Sequence, residues 1–292
     1  MANPPVKRIP KLSVAIPASL VSDIPHLREK TLKLGLVGRA LAIFRVDEVI
    51  VFPDRSFQSQ TSEIDLTTTI LSYMETPQYL RKVFFKIRPE LRYVGVLAPL
   101  RTPHHPLTNR KKDLRMGEYR EGLVVASDQK RSLVQIGVEQ PVPVIGVQVP
   151  VNTRITVRIA ETGKRPKASV ADRDAIEAYW GYKVTAPKQS LGTMLKEKSF
   201  DLVVATSRLG EPFTRVAEKV LARWGESTRV LIVFGSPTEG LHDMLRKERL
   251  RLGDLVDFVV NMIPNQATET VRTEEALYTT LAVLNLLTAE KT

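Results

Sequence analysis

The chain has no cysteine. That single absence excludes disulfides, thiolate metal ligands and cysteine nucleophiles. Histidine is scarce as well: His26, His104, His105 and His242 are the whole complement. A His104-His105 pair with no third ligand nearby gives little basis for a metal centre or a general base, and no metal is expected. Aromatic residues make up only 6% of the 292 residues. No apolar run approaches the roughly 20 residues of a membrane-spanning helix, and the N-terminal MANPPVKRIPK has no apolar core followed by a cleavage site. The cytoplasm is the expected compartment. Two phosphate-binding signatures are missing too. Gly163-Lys164 is followed by Arg165 rather than Ser or Thr, and no G-x-G-x-x-G follows the first strand. A P-loop and a dinucleotide-binding Rossmann site are therefore disfavoured.

Acidic residues are in deficit, 32 Asp and Glu against 43 Lys and Arg, which leaves a net charge of +11. A surplus of that size favours a polyanionic partner, of which nucleic acid is the commonest. Apolar residues, at 43%, suffice for one large or two modest cores.

The chain opens as a βαβ unit. Leu12 to Val21 reads as a strand, Leu27 to Phe44 has helical apolar spacing, and Glu48 to Phe52 is a second strand. Ile64 to Tyr73 and Gln78 to Phe85 are predicted as helices on either side of Pro77. Around Leu97 the texture changes to Pro and charge, with eight Lys or Arg against four Asp or Glu between Arg101 and Arg131. LVVAS, SLVQIGV, PVPVIGVQV and RITVRIA then read as short antiparallel strands, about five in all, and predict a small barrel of the oligonucleotide-binding kind. Helices and strands alternate again from Ser169: helix Ala171 to Tyr179, strand Tyr182 to Thr185, helix Leu191 to Lys196, strand Asp201 to Thr206 and helix Phe213 to Trp224. The expected organisation is thus an α/β domain of parallel-sheet type, split into residues 1–96 and 164–292, with a barrel at 97–163 inserted between its halves.

Two buried strands near the C-terminus end in unusual loops. Val230 to Phe234 stops at GSPTEG, and Leu255 to Val260 runs into NMIPNQATETVR before the helical TEEALYTTLAVLNLL. A third polar loop, Thr206 to Gly210, follows another predicted strand. Ligands of open parallel sheets sit outside the carboxyl ends of the strands, so these loops are where a small molecule would bind.

The same residues carry a family resemblance. F-G-S-P-x-x-G-L, then N-x-I-P-x-Q and R-T-E-E-A-L, resembles the SPOUT class of RNA methyltransferases, and within it the archaeal and eukaryotic branch with a barrel inserted in the catalytic domain. KLGLVGRALAIF is similar to the first motif of the related SpoU branch: Gly35, Arg39, Ala40 and Phe44 match, while Lys33 replaces Asn and Arg45 replaces Gly. The resemblance implies a C-terminal trefoil knot, S-adenosylmethionine as cofactor, an RNA substrate, in particular ribosomal RNA, and a homodimer. The C-terminal helix offers Leu277, Leu281, Leu284 and Leu287 as one apolar stripe for pairing or for packing within the chain.

On this reading Thr206, Ser207, Arg208, Phe234, Gly235, Ser236, Pro237, Gly240, Asn261, Ile263, Pro264, Gln266 and Thr268 hold the cofactor. Gly235 and Gly240 let backbone approach closely, and Pro237 fixes the turn. Methyl transfer to a protonated base nitrogen needs a group that takes or stabilises the proton, and Glu269, Arg272 and Arg39 are the candidates. Glu274 serves the start of its helix, where a carboxylate meets the helix dipole. Arg101, His104, His105, Arg110, Lys111 and Lys112 form the expected RNA contact, through phosphate charge rather than stacking, because Tyr119 alone is available to stack. A noncatalytic RNA-binding protein with the same fold is the alternative.

Overall fold

The structure, a computed structural model, describes residues 4–55 and 59–289. Two compact units are present. The first comprises residues 8–75, 89–99 and 182–292 and is built on a parallel sheet. In chain order its elements are β1 (Lys11–Pro17), α1 (Leu27–Ile43), β2 (Glu48–Phe52) and α2 (Thr61–Glu75). Helix α3 (Gln78–Phe84) and strands β3 (Tyr119–Ser127), β4 (Arg131–Gln135), β5 (Val142–Ile145), β6 (Arg154–Glu161) and β7 (Lys167–Val170) belong to the second unit. The first unit resumes with β8 (Lys183–Thr185), α4 (Leu191–Lys196), β9 (Leu202–Pro212), α5 (Phe213–Glu226), β10 (Arg229–Val233), α6 (Leu241–Lys247), β11 (Phe258–Asn261) and α7 (Thr273–Thr288).

The sheet order is β11-β9-β10-β1-β2-β8, and every neighbouring pair is parallel. Its strands are continuous Val, Ile, Leu and Ala runs because both faces are covered. Ala15, Ile50, Val203, Leu231 and Val233 pack on one face against Leu191 and Leu195 of α4 and Leu241 and Leu245 of α6. The alternating set, Val14, Ile16, Val49, Val51 and Ile232, is buried as well.

One strand behaves differently from the sequence reading. Val259 of β11 lies opposite Ala205, yet the next residue, Val260, lies opposite Glu211. Residues 206–210 therefore leave the sheet as an excursion, and β9 then resumes its pairing instead of ending at a loop. The return depends on Gly210, where a Cβ would sit 2.6 Å from the Val260 carbonyl carbon.

The second unit comprises residues 1–7, 76–88 and 100–181. Its strands close into a barrel in the order β3-β4-β5-β7-β6, the connectivity of a five-stranded Greek-key barrel. Val124, Val134, Ile136, Val142, Val144, Val157 and Ile159 fill it. Its fifth strand, β7, lies beyond Gly163.

The predicted helix over Ala171 to Tyr179 does not form. Val6 bridges Ala178 in antiparallel fashion, Lys7 N–H donates to Glu177 O and Tyr179 N–H to Pro5 O, both at 2.7 Å. The segment is extended there because its amides are taken by the N-terminal residues. The apolar spacing that suggested a helix belongs instead to Tyr179 and Trp180, which are buried in this unit. The Trp180 indole donates to Glu121 at 2.6 Å, and Glu121 also accepts from Arg154 and Thr156 at 2.6 and 2.7 Å. Burial pushes the Glu121 carboxyl up, but Arg154 and the Thr156 hydroxyl outweigh it and hold it below its ordinary value.

Candidate functional site

At the carboxyl ends of β9, β10 and β11 the three loops enclose a pocket of about 350 Å³. The excursion 206–210 forms one wall. Thr206 Oγ1 donates to Val233 O at 3.1 Å, which ties this wall to β10. The turn after β10 forms the second wall. Phe234 is buried and donates its N–H to Ala15 O at 3.0 Å, and Ser236 N–H and Glu239 O close the turn at 3.0 Å. Residues 261–272 form the roof. The Asn261 side chain donates to Arg208 O at 3.0 Å and accepts from Ile263 N–H at 2.9 Å. Arg208 Nη1 donates to Glu269 O at 2.6 Å, and Gln266 Nε2 reaches Thr268 O and Glu269 O at 2.8 and 3.2 Å. Wall and roof thus hold each other through side chains that a sequence shows only as scattered polar residues.

The floor belongs to α7. Thr273, Ala276 and Thr280, three and four residues apart, present one edge of the helix to the pocket. Thr273 Oγ1 donates to Gly235 O at 3.0 Å, which joins floor to wall. Two polar oxygens lining the pocket, Glu239 Oε1 and Thr280 Oγ1, are buried without a hydrogen-bond partner among the described residues. The other Glu239 oxygen, Oε2, pairs with Lys247 at 2.6 Å.

Of the expected cofactor residues, Thr206, Ser207, Arg208, Phe234, Gly235, Ser236, Pro237, Gly240, Asn261, Ile263 and Gln266 line this pocket, and so does Glu269. Pro264 and Thr268 are exposed in the roof and do not line it. Gly240 is present but is not required for close approach: its φ is −77° and a Cβ there would meet nothing nearer than Asp243 Oδ2 at 4.0 Å. It stands at the start of α6, a helix that sequence reasoning passed over.

Arg272 and Arg39 stand outside the lining. Arg272 is exposed and heads α7, its N–H donating to the Glu275 carboxylate at 2.9 Å. Arg39 donates to Pro99 O at 3.0 Å. Glu274 does more than meet the helix dipole, since it lies buried 3.3 Å from Lys33, which also faces Asp23 at 3.6 Å. Lys33, the departure from the first-motif pattern, is thereby consumed between α1 and α7.

Leu209, Thr238, Glu239, His242, Asp243, Met262, Thr270, Val271, Thr273, Ala276 and Thr280 complete the lining and were not anticipated. Only the helical spacing of the last three offered a signal. In the apolar stripe of α7, Leu277, Leu281 and Leu284 are buried within the chain and Leu287 alone is exposed.

The basic segment of the second unit is partly built into the barrel. Lys111 N–H donates to Glu139 and Lys111 Nζ to Gln140, at 2.8 and 2.7 Å. Arg101, Arg110 and Lys112 are exposed. His104 is not available as a phosphate contact, because it is fully buried with its ring centre 5.9 Å from Trp180 and 4.3 Å from His105. His105 is half-buried. Tyr119, the expected stacking residue, is half-buried with its edge toward Trp180 at 6.0 Å and Arg158 over its face.

Comparison with known proteins gives this geometry a context. A family model described as "Putative RNA methyltransferase" matches residues 11–284. An uncharacterised protein of Halobacterium salinarum is 34% identical, over 94% of this chain and 98% of its own length. The 28S rRNA (uridine-N(3))-methyltransferase of Drosophila melanogaster is 33% identical over 94% of this chain and 61% of its own. The mouse enzyme of the same name is 32% identical over 94% and 75%.

Proposed function

The chain belongs to the RNA methyltransferase family whose model spans residues 11–284, and on that premise we propose that it uses S-adenosylmethionine to methylate N3 of a uridine in ribosomal RNA. The observation that carries the reading is the pocket at the ends of β9, β10 and β11, made by the loops that bear the SPOUT-like motifs. Its volume lies in the range of small-molecule sites. The lining fits the donor: Phe234 and Ala276 supply apolar surface, and the unpartnered oxygens of Glu239 and Thr280 suit hydroxyl, amine or ring-nitrogen partners. A knotted C-terminal chain is part of the same proposal.

Bound adenosylmethionine supplies an electrophilic methyl group, so most of what the protein adds is positioning. Arg208, Asn261 and Gln266 hold the roof, and Thr273 holds it to the wall. N3 of uridine carries a proton at neutral pH and becomes nucleophilic when that proton leaves. Glu269 is assigned this proton. It is exposed at the pocket, its main-chain oxygen is fixed by Arg208 and Gln266, and its carboxylate makes no ion pair among the described residues.

The barrel is proposed to grip the RNA backbone through Arg101, Arg110 and Lys112, with His105 beside them. A homodimer is proposed as well, through an apolar face different from the expected stripe: Leu32, Leu36 and Ile43 on α1, with Leu286 and Leu287 on α7, are exposed on two helices that pack together.

The deciding experiment incubates the protein and Glu269→Gln with adenosylmethionine and unmodified ribosomal RNA, followed by nucleoside mass spectrometry. 3-Methyluridine from the wild type, with turnover lost and donor affinity kept in the variant, is the expected result. No methylated nucleoside on any RNA would leave the noncatalytic alternative. Methylation by Glu269→Gln at the wild-type rate would remove Glu269 from the proton transfer.

A further inference from the structure

We propose that Thr280 contacts the methyl donor directly, its hydroxyl hydrogen-bonding the edge of the donor's heteroaromatic base at the pocket floor. The inference rests on the donor reading given above. Threonines in helices usually place the hydroxyl on the carbonyl one turn back, and this protein does so repeatedly. Thr31 donates to Leu27 O at 2.8 Å, Thr68 to Ile64 O at 2.7 Å, and Thr288, on α7 itself, to Leu284 O at 2.7 Å. Thr280 is fully buried on the same helix, yet its hydroxyl has no partner among the described residues. A buried hydroxyl without a partner costs stability, so the fold gains nothing from it at this position. Thr67 Oγ1 is likewise without a partner but does not line the pocket. Thr280 does line it, beside Ala276 and below the buried ring of Phe234.

The donor's base matches that floor. Its faces are flat and apolar, its edge carries ring nitrogens and an amine, and a hydroxyl both donates and accepts. Ala276, one turn before Thr280, leaves room that a larger side chain would fill.

Calorimetric titration with adenosylhomocysteine tests the proposal on the wild type, Thr280→Val and Thr280→Ser. The valine variant keeps the shape and removes the hydroxyl. It is expected to bind about tenfold more weakly, the loss of one buried hydrogen bond, with a melting temperature equal to or above that of the ligand-free wild type. The serine variant keeps the hydroxyl and is expected to bind within about threefold of wild type. Equal affinity of wild type and Thr280→Val overturns the inference and leaves the donor reading intact. Absence of binding by the wild type overturns the donor reading and this inference with it. A second titration, with the homocysteine thioether of inosine, locates the contact. Thr280→Val is expected to matter less for that ligand, and an equal loss for both ligands would move the contact off the amine edge.

Discussion

The Lys33 ammonium lies 3.3 Å from the Glu274 carboxylate, with both side chains almost entirely buried between α1 and α7. Glu274 follows Thr273, which is bonded to Gly235, so this ion pair fixes the turn of α7 from which the pocket floor starts. Removing one partner of a buried pair strands the other charge. Lys33→Met is expected to destabilise the protein by roughly 3 kcal/mol, the lower part of the range for such changes, and to weaken donor binding. Lys33→Met combined with Glu274→Leu should recover most of that stability. Urea unfolding of the single and double variants checks this; equal stability of all three would mean the pair contributes nothing.

Gly210 is the second test of the architecture. A Cβ there would press on the Val259 and Val260 backbone, which cannot move aside as a side chain does. Gly210→Ala is expected to cost about 1–3 kcal/mol, as overpacking does, and to reduce donor affinity through the displaced excursion. Gly240→Ala, where a Cβ finds open space, should be near neutral in stability. The reverse ranking in thermal melts would refute the placement of the excursion.

The Glu121 carboxyl titrates below its ordinary value in the folded protein. A lowered folded-state value means stability that is present above the unfolded carboxyl's titration near 4.3 and lost as the pH falls through the lower, folded one. The barrel unit should therefore lose stability steadily from about pH 4.5 downward. Glu121→Gln should be less stable at pH 7 and show a flatter acid limb. Trp180 fluorescence during urea unfolding at several pH values reads this; parallel acid limbs would show that Glu121 does not contribute.

The basic segment offers a graded result. Because Lys111 is tied to Glu139 and Gln140, neutralising Arg110, Lys111 and Lys112 together should remove about two phosphate contacts. The log–log salt slope of RNA binding would fall by about 1.4, at roughly 0.7 per contact for single strands. Adenosylhomocysteine affinity should not change. A wild-type slope in filter binding would show the cluster to be solvated surface.

Leu36 and Leu286 are exposed on α1 and α7, at 50% and 74% of their surface. Charging both, as Leu36→Lys with Leu286→Lys, should convert a dimer to a monomer in sedimentation velocity while leaving the monomer folded. A wild type that sediments as a monomer at micromolar concentration would end the dimer proposal.

Much of the fold is legible from residue pattern alone. β2, β10, α5 and α7 are continuous apolar runs or well-spaced amphipathic stretches, and their ends carry turn residues. β9 beyond Ala205 is not legible. Thr206 to Gly210 is polar and exposed, and only the backbone partners of Glu211 and Pro212 reveal that the strand returns. The helix expected at Ala171 to Tyr179 failed for the converse reason: its apolar residues serve the barrel unit, and a one-dimensional pattern does not say which neighbour buries them. For the site, motif residues at strand ends were found because turns there need Gly, Pro and Asn. The floor was missed because Thr273, Ala276 and Thr280 look like an ordinary helix edge until the pocket is seen above them.

The position of β1 has a consequence for the order of assembly. β1 pairs on one side with β2, nearby in sequence, and on the other with β10, Leu12 lying beside Val230. Most of the sequence separates those two partners, and pairings at such separation form slowly. The barrel strands, by contrast, lie in one contiguous stretch. During synthesis the barrel can therefore close while β1 still waits with one apolar edge unpaired. An open edge of that kind recruits foreign strands, so the nascent chain is at its most vulnerable between completion of β7 and arrival of β10.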